Sequence, residues 1–148
     1  MDTYMVNYDQ ISELPLIERE DFARNTARIL IGTGSIPSSG CLFRATFQPG
    51  GFHATHLHTD CDEFVYIISG HGLKGVADQV YELRPGCAYY LPKGVSHWML
   101  NTHKTEPIQV VGFYPNSPDF DHTGYQYLEP IPKKFFNHEP HEKARKFL

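Results

Sequence analysis

Nine histidines among 148 residues are the outlying feature of this chain, and four side chains in two stretches could do chemistry together. His56 and His58 stand two apart in a run that reads as a strand, so both imidazoles leave the same face and can converge on one ion. Glu63 follows at the start of the next strand, near enough to add a carboxylate oxygen. His97 opens a later strand, past the turn Pro92-Lys93-Gly94, and can close the set from a neighbouring strand. Three neutral imidazoles and one carboxylate suit a single divalent ion per chain, Fe, Mn, Ni, Cu or Zn, with nothing in the donor set to choose among them. An ion that prefers six donors would keep open positions for water or a chelating substrate, whereas closed structural zinc sites are mostly rich in cysteine. Glu63 has two available roles, metal ligand or proton acceptor. The bland alternative is two solvated histidines on an edge strand. The register of Glu63, His97 and the turn residues favours the metal.

The cysteines are no substitute ligands. Cys41, Cys61 and Cys87 form an odd, sparse set without a CxxC pair, which argues against a thiolate cage and against a disulfide framework. They read as free thiols, with Cys61 a loop thiol.

The elements that must position the ligands are short strands. From Cys41 to Tyr114 the chain is cut by Gly and Pro into candidates Leu42–Phe47, Phe52–His58, Phe64–Ser69, Leu73–Val76, Gln79–Leu83, Ala88–Leu91, His97–Asn101 and Ile108–Tyr114. That pattern predicts an all-β barrel or sandwich with little helix. Before it, a short helix is expected around Glu18–Ala23. The stretch Gly32–Gly40 lacks the GxxxxGK[ST] pattern and reads as a connector rather than a phosphate cradle. Residues 1–40 are thus an N-terminal extension with any first strand, residues 41–128 the barrel, and residues 129–148 a tail. Phe64–Ile68 is apolar on both faces, so the outer face needs a cover from the N-terminal segment or a second subunit; a homodimer is expected. The tail carries Lys133, Lys134, Lys143, Arg145 and Lys146, but the interleaved Phe135, Phe136 and Phe147 favour a packed or partner-docked tail over a nucleic-acid arm.

The turn residues sharpen the picture. Gly50, five residues, His56-x-His58, four residues, Glu63, six residues and Gly70 make one block. Gly86, five residues, Pro92-x-Gly94, two residues, His97, three residues and Asn101 make a second, fifteen residues on. This resembles the cupin superfamily, whose two motifs have this form, with one departure: Cys87 stands where the family often has an acidic residue. The resemblance implies a single-domain, jelly-roll-like β-barrel, with a metal bound inside by the residues matching His56, His58, Glu63 and His97. It also implies turn conformations that suit glycine at Gly50, Gly70, Gly86 and Gly94.

Around this centre, Arg44 is expected to face the cavity if Phe43, Ala45 and Phe47 pack outwards; there it would clamp an anionic substrate, giving a catalytic pair of Glu63 and Arg44. Tyr66, Tyr89, Tyr90, Trp98 and Met99 line the cavity or fill the core. His53 falls on the strand face opposite His56 and reads as a surface or edge residue. His71 and His103 do not match the ligand pattern, and His122, His138 and His141 read as solvated. A formal net charge of −4 gives no pull towards nucleic acid, no apolar run reaches the roughly 18 residues of a membrane span, and the start of the chain reads as that of a cytoplasmic protein. The resemblance then implies a metal-dependent enzyme acting on a small molecule. A dioxygenase comes first, a Lewis-acid isomerase, epimerase, decarboxylase or lyase second, and a non-catalytic binder of a sugar-like or acidic ligand third.

Overall fold

A computed structural model describes residues 3–15 and 18–137. Nine strands form one curled sheet: β1 (Phe22–Ile31), β2 (Cys41–His58), β3 (Glu63–Ser69), β4 (Gly72–Val76), β5 (Gln79–Leu83), β6 (Ala88–Leu91), β7 (His97–Leu100), β8 (Ile108–Tyr114) and β9 (Tyr125–Glu129). The only helical pieces among the described residues are three short 3₁₀ turns, at Tyr8–Gln10, Phe120–His122 and Lys133–Asn137. The order across the sheet is β5-β4-β7-β2-β8-β3-β6, with β1 and β9 also paired to β2. The fold is all-β, as expected.

β2 organises the rest. It fuses two expected strands into one, turning at Pro49-Gly50-Gly51, where Gly50 takes φ +76°. β1 pairs along both sides of that turn, β8 with the first half only, and β7 and β9 with the second. Asn101 pins the corner, receiving the Gly50 N–H at 3.1 Å and donating its own backbone N–H to Gly51 at 2.8 Å. The expected helix at Glu18–Ala23 is replaced by a tight Arg19–Phe22 bridge leading into β1, whose Phe22 pairs with His53. The open edge of a long central strand outweighs a local preference for helix, which has little to offer in so short a run.

Alternation along β2 sets what faces inwards, and its phase is the opposite of the expected one. Phe43, Ala45 and Phe47 point into the barrel, Phe43 stacking on Tyr114 with ring centroids 5.1 Å apart. Gly112 opposite has the Phe43 ring where a Cβ would stand. Arg44 therefore points outwards, donating to Gln109 Oε1 at 2.7 Å and lying over the Tyr8 ring at 5.0 Å beside Arg28. Two phenylalanines and an alanine gain from the dry side, and a guanidinium is spared desolvation by leaving it, so both effects favour this phase.

Two apolar layers result. Inside, Phe47, Val65, Ile67, Leu83, Met99, Ile108 and Val110 pack as a floor. Outside the β4–β7 wall, Ala54, Leu73, Trp98 and Leu100 are covered by Ile131 and Phe135, so the tail docks there through these two side chains. The expectations for His138, His141, Lys143, Arg145, Lys146 and Phe147 lie outside the described residues. The N-terminal segment covers Arg28 and Arg44, and the outer face of β3 stays exposed at Phe64, Tyr66 and Ile68.

Gly112→Ala tests the inward phase of β2. Its methyl would enter the Phe43 ring, so urea unfolding should show a loss of about 1–3 kcal/mol; a loss below about 0.5 kcal/mol would mean Phe43 is elsewhere.

Candidate metal centre

The ladder between β2 and β7 pairs His56 with His97, and alternation brings His58 to the same inner face. Ring centroids lie 4.1 Å apart for His56 and His97, 5.2 Å for His56 and His58, and 5.4 Å for His58 and His97. One nitrogen from each ring lies within 4.8 Å of the others, and all three residues are buried.

The other nitrogens settle the tautomers. A carbonyl oxygen only accepts, so Ala54 O at 2.6 Å and Val95 O at 3.0 Å place the N–H of His56 and His97 on Nδ1. Thr123 Oγ1 gives its own hydrogen to Phe120 O at 3.1 Å and accepts from His58 Nδ1 at 2.8 Å. All three Nε2 atoms are then bare lone pairs. Those of His58 and His97 are buried with no hydrogen-bond partner. Burial pushes all three imidazoles below their ordinary pKa, His56 and His97 well below it, with the Lys74 charge acting in the same direction. They are neutral, the form a metal requires.

Glu63 begins β3 and alternates inwards with Val65 and Ile67. Its Oε1 accepts from the Tyr114 hydroxyl at 2.7 Å, while its Oε2 stands 3.5 Å from His97 Nε2. Burial first, then the Glu63 charge, pushes the Tyr114 phenol well above its ordinary pKa, so it stays a donor. Oε2 and Nε2 are thus two lone-pair atoms facing each other with no proton between them. That arrangement is relieved by a cation, and the donor set, three imidazole nitrogens and a carboxylate oxygen, fits a divalent transition metal.

The structure brings His56, His58 and His97 together, sets Glu63 beside His97, and leaves Arg44 outside the barrel. It also moves His53. Four residues of β2, His53 to His56, stand against three of β7, Met99 to His97. This bulge turns His53 onto the inner face, where it is half-buried and stacked on His56 at 3.7 Å between centroids, its Nε2 3.3 Å from the Tyr125 hydroxyl. His71 and His103 flank Glu106 on the surface, and His122, exposed, pairs with Asp119 at 2.6 Å. Cys61 is buried beside Cys41; burial pushes both thiols up, Cys41 to about 12, so neither is a ready nucleophile.

Two residues at the site escaped the sequence reading. Tyr114 shares its phase with Val110 and Gly112 and was visible in principle. Thr123 follows a 3₁₀ turn that no periodicity announces.

The family model described as a cupin domain matches residues 43–114. Oxalate oxidase 1 of Hordeum vulgare is 30% identical over 83 residues, a stretch covering 51% of this chain and 41% of that protein, so the chain matches less than half of that relative's length. Among solved structures, a cupin-2 domain protein from Rhodospirillum rubrum superposes with TM-score 0.68 at 20% identity, covering 84% of this chain and 80% of the other. The polyketide cyclase RemF from Streptomyces resistomycificus gives TM-score 0.68 at 16% identity, covering 89% of each. These two likenesses extend the shared fold well beyond the matched domain.

Tyr114→Phe removes the donor to Glu63 and leaves a buried oxygen unanswered. The expected cost is about 1–3 kcal/mol in urea unfolding of the metal-free protein; unchanged stability would mean that the Tyr114–Glu63 bond is not formed.

Proposed function

The chain belongs to the cupin superfamily, and on that premise we propose that it is a metal-dependent oxidoreductase acting on a small molecule, most specifically a dioxygenase. One observation carries the reading: three buried imidazoles with their Nδ1–H groups committed elsewhere turn unprotonated Nε2 atoms towards one point beside the Glu63 carboxylate. When bound, a divalent ion supplies Lewis acidity towards a chelating substrate and, for Fe, Mn, Ni or Cu, access to dioxygen chemistry.

The chain's own residues do the rest. Ala54 O, Val95 O and Thr123 Oγ1 hold the rings in aim, as outer-shell partners do. Glu63, tethered through Oε1 to Tyr114, has Oε2 to bind with or to accept a proton from substrate. The apolar floor of Val65, Ile67, Met99 and Val110 keeps bulk water from the reacting side. The likeness to an oxalate oxidase supports oxidoreductase chemistry.

A homodimer accompanies this reading. Phe64 of β3 pairs with both Tyr90 of β6 and Phe113 of β8, so these rings, with Tyr66 and Ile68, form one exposed apolar face. Sedimentation equilibrium should find a dimer that Tyr66→Lys dissociates. A monomeric wild type would contradict it.

Metal analysis and oxygen uptake test the function. His56→Ala and His97→Ala should lose most bound metal and His122→Ala should keep it, while Thr123→Val should bind about 10–100-fold more weakly. Equal metal in all of them would remove the assignment. In a screen of chelating compounds that runs from catechols, diketones and flavonols to small carboxylic acids, oxygen consumption should require Fe, Mn, Ni or Cu and vanish with Zn. Turnover by the Zn form without oxygen would instead indicate Lewis-acid isomerase or lyase chemistry, and tight retention without turnover a binding protein.

A further inference from the structure

Besides histidines, four charged side chains are buried among the described residues: Asp21, Glu63, Lys74 and Asp119. Three of them are answered. Asp21 takes Arg19 at 3.0 Å and the Tyr125 hydroxyl at 2.6 Å. Asp119 takes His122 at 2.6 Å and Thr33 at 2.7 Å, and Glu63 takes Tyr114. Lys74, only 3% exposed, has no carboxylate at ion-pair distance among the described residues and meets only the face of Tyr89, 4.4 Å from its ammonium. Desolvating an ammonium costs more than one aromatic face returns. A fold that keeps such a lysine holds its charge in reserve for something absent from the chain itself.

Its place says for what. On β4, Leu73 packs into the outer layer with Trp98, so Lys74 points the other way, into the barrel. Its ladder partner on β7 is Met99, two residues beyond His97. Tyr89 belongs to β6, at the far end of the strand order from β4, so the ammonium–ring contact crosses the interior. β4 runs beside β7, and β7 beside β2, so the ammonium shares the inner wall that carries His56, His58 and His97. Burial pushes Lys74 down to about 8, which still leaves it charged at neutral pH. Burial also keeps Tyr89 a neutral phenol.

We propose that Lys74 anchors a carboxylate of the substrate in the cavity beside His56, His58 and His97, which makes the substrate class a small carboxylic acid. This rests on the reading of the histidine cage as a metal-holding reaction site. With a divalent ion in the cage, the interior carries the ion and Lys74 against Glu63 alone, a net positive balance that favours an anion. The Tyr89 ring holds the ammonium by its face and leaves the N–H groups to donate. A neutral analogue of the substrate would leave that ammonium unpaired and is therefore rejected.

The test is calorimetric titration of malonate, with malonamide as the uncharged control, into metal-loaded wild type, Lys74→Met, Lys74→Gln and Lys74→Arg, with metal content measured on each. Malonate should bind wild type in preference to malonamide. It should weaken by about tenfold or more in Lys74→Met and Lys74→Gln at unchanged metal content, and recover in part in Lys74→Arg. Lys74→Met should melt no lower than wild type, because a thioether fills the site without the cost of a buried charge; a merely structural lysine would show the reverse. Malonate affinity equal across the four proteins, no malonate binding to wild type, or no preference over malonamide would overturn the anchor. If wild type takes up no metal, the histidine-cage reading fails, and the same titration on metal-free protein still decides Lys74: malonate binding that Lys74→Gln abolishes supports it, and any other result overturns it.

Discussion

Three imidazole N–H bonds that point away from a common centre are the constraint on which the rest depends. With each Nδ1–H held by Ala54 O, Thr123 Oγ1 or Val95 O, the rings have no freedom to turn a proton inwards. Their Nε2 lone pairs and Glu63 Oε2 then share a buried space in which acceptors outnumber donors. Left alone, such an arrangement is costly in a low dielectric. A divalent cation turns the same geometry from liability to binding energy, and for that reason the orientation of the N–H groups says more about this site than the number of histidines.

The barrel makes that orientation affordable by distributing the parts over separate walls. β2 bends at Gly50 so that its first half builds the apolar interior with β8, while its second half carries His56 and His58 against β7. The bulge between His53 and His56 brings a further imidazole onto the inner face and stacks it behind His56, stiffening one candidate ligand from the side. Tyr114, at the end of β8, holds Glu63 on the neighbouring β3. Lys74 comes from β4, next to β7, and supplies a buried ammonium with no carboxylate at ion-pair distance among the described residues. Cation site, carboxylate and ammonium are thus fixed by different strands around one dry floor.

Much of this was legible in the letters. The two-residue spacing of His56 and His58, the step to Glu63, and the turn that aims His97 are local geometry. The motif glycines Gly50, Gly70, Gly86 and Gly94 all have positive φ, as their turns require. Other features were not legible, for physical reasons. Alternation states which residues share a face without stating which face is dry, and Arg44 was assigned to the wrong one. A bulge resets the count, so His53 could not be placed by parity. β1 and β9 have weak patterns of their own and exist because β2 offers them an edge. Thr123 reaches His58 across 65 positions of sequence from irregular backbone.

Anomalous diffraction at the absorption edge of a metal soaked into crystals measures the central feature directly. A single peak about 2.0–2.3 Å from Nε2 of His56, His58 and His97, with a Glu63 oxygen in or beside the coordination shell, is the expected result. Absence of a peak there under saturating Fe, Mn, Ni, Cu or Zn, or binding through Nδ1 after the rings have turned, would contradict it.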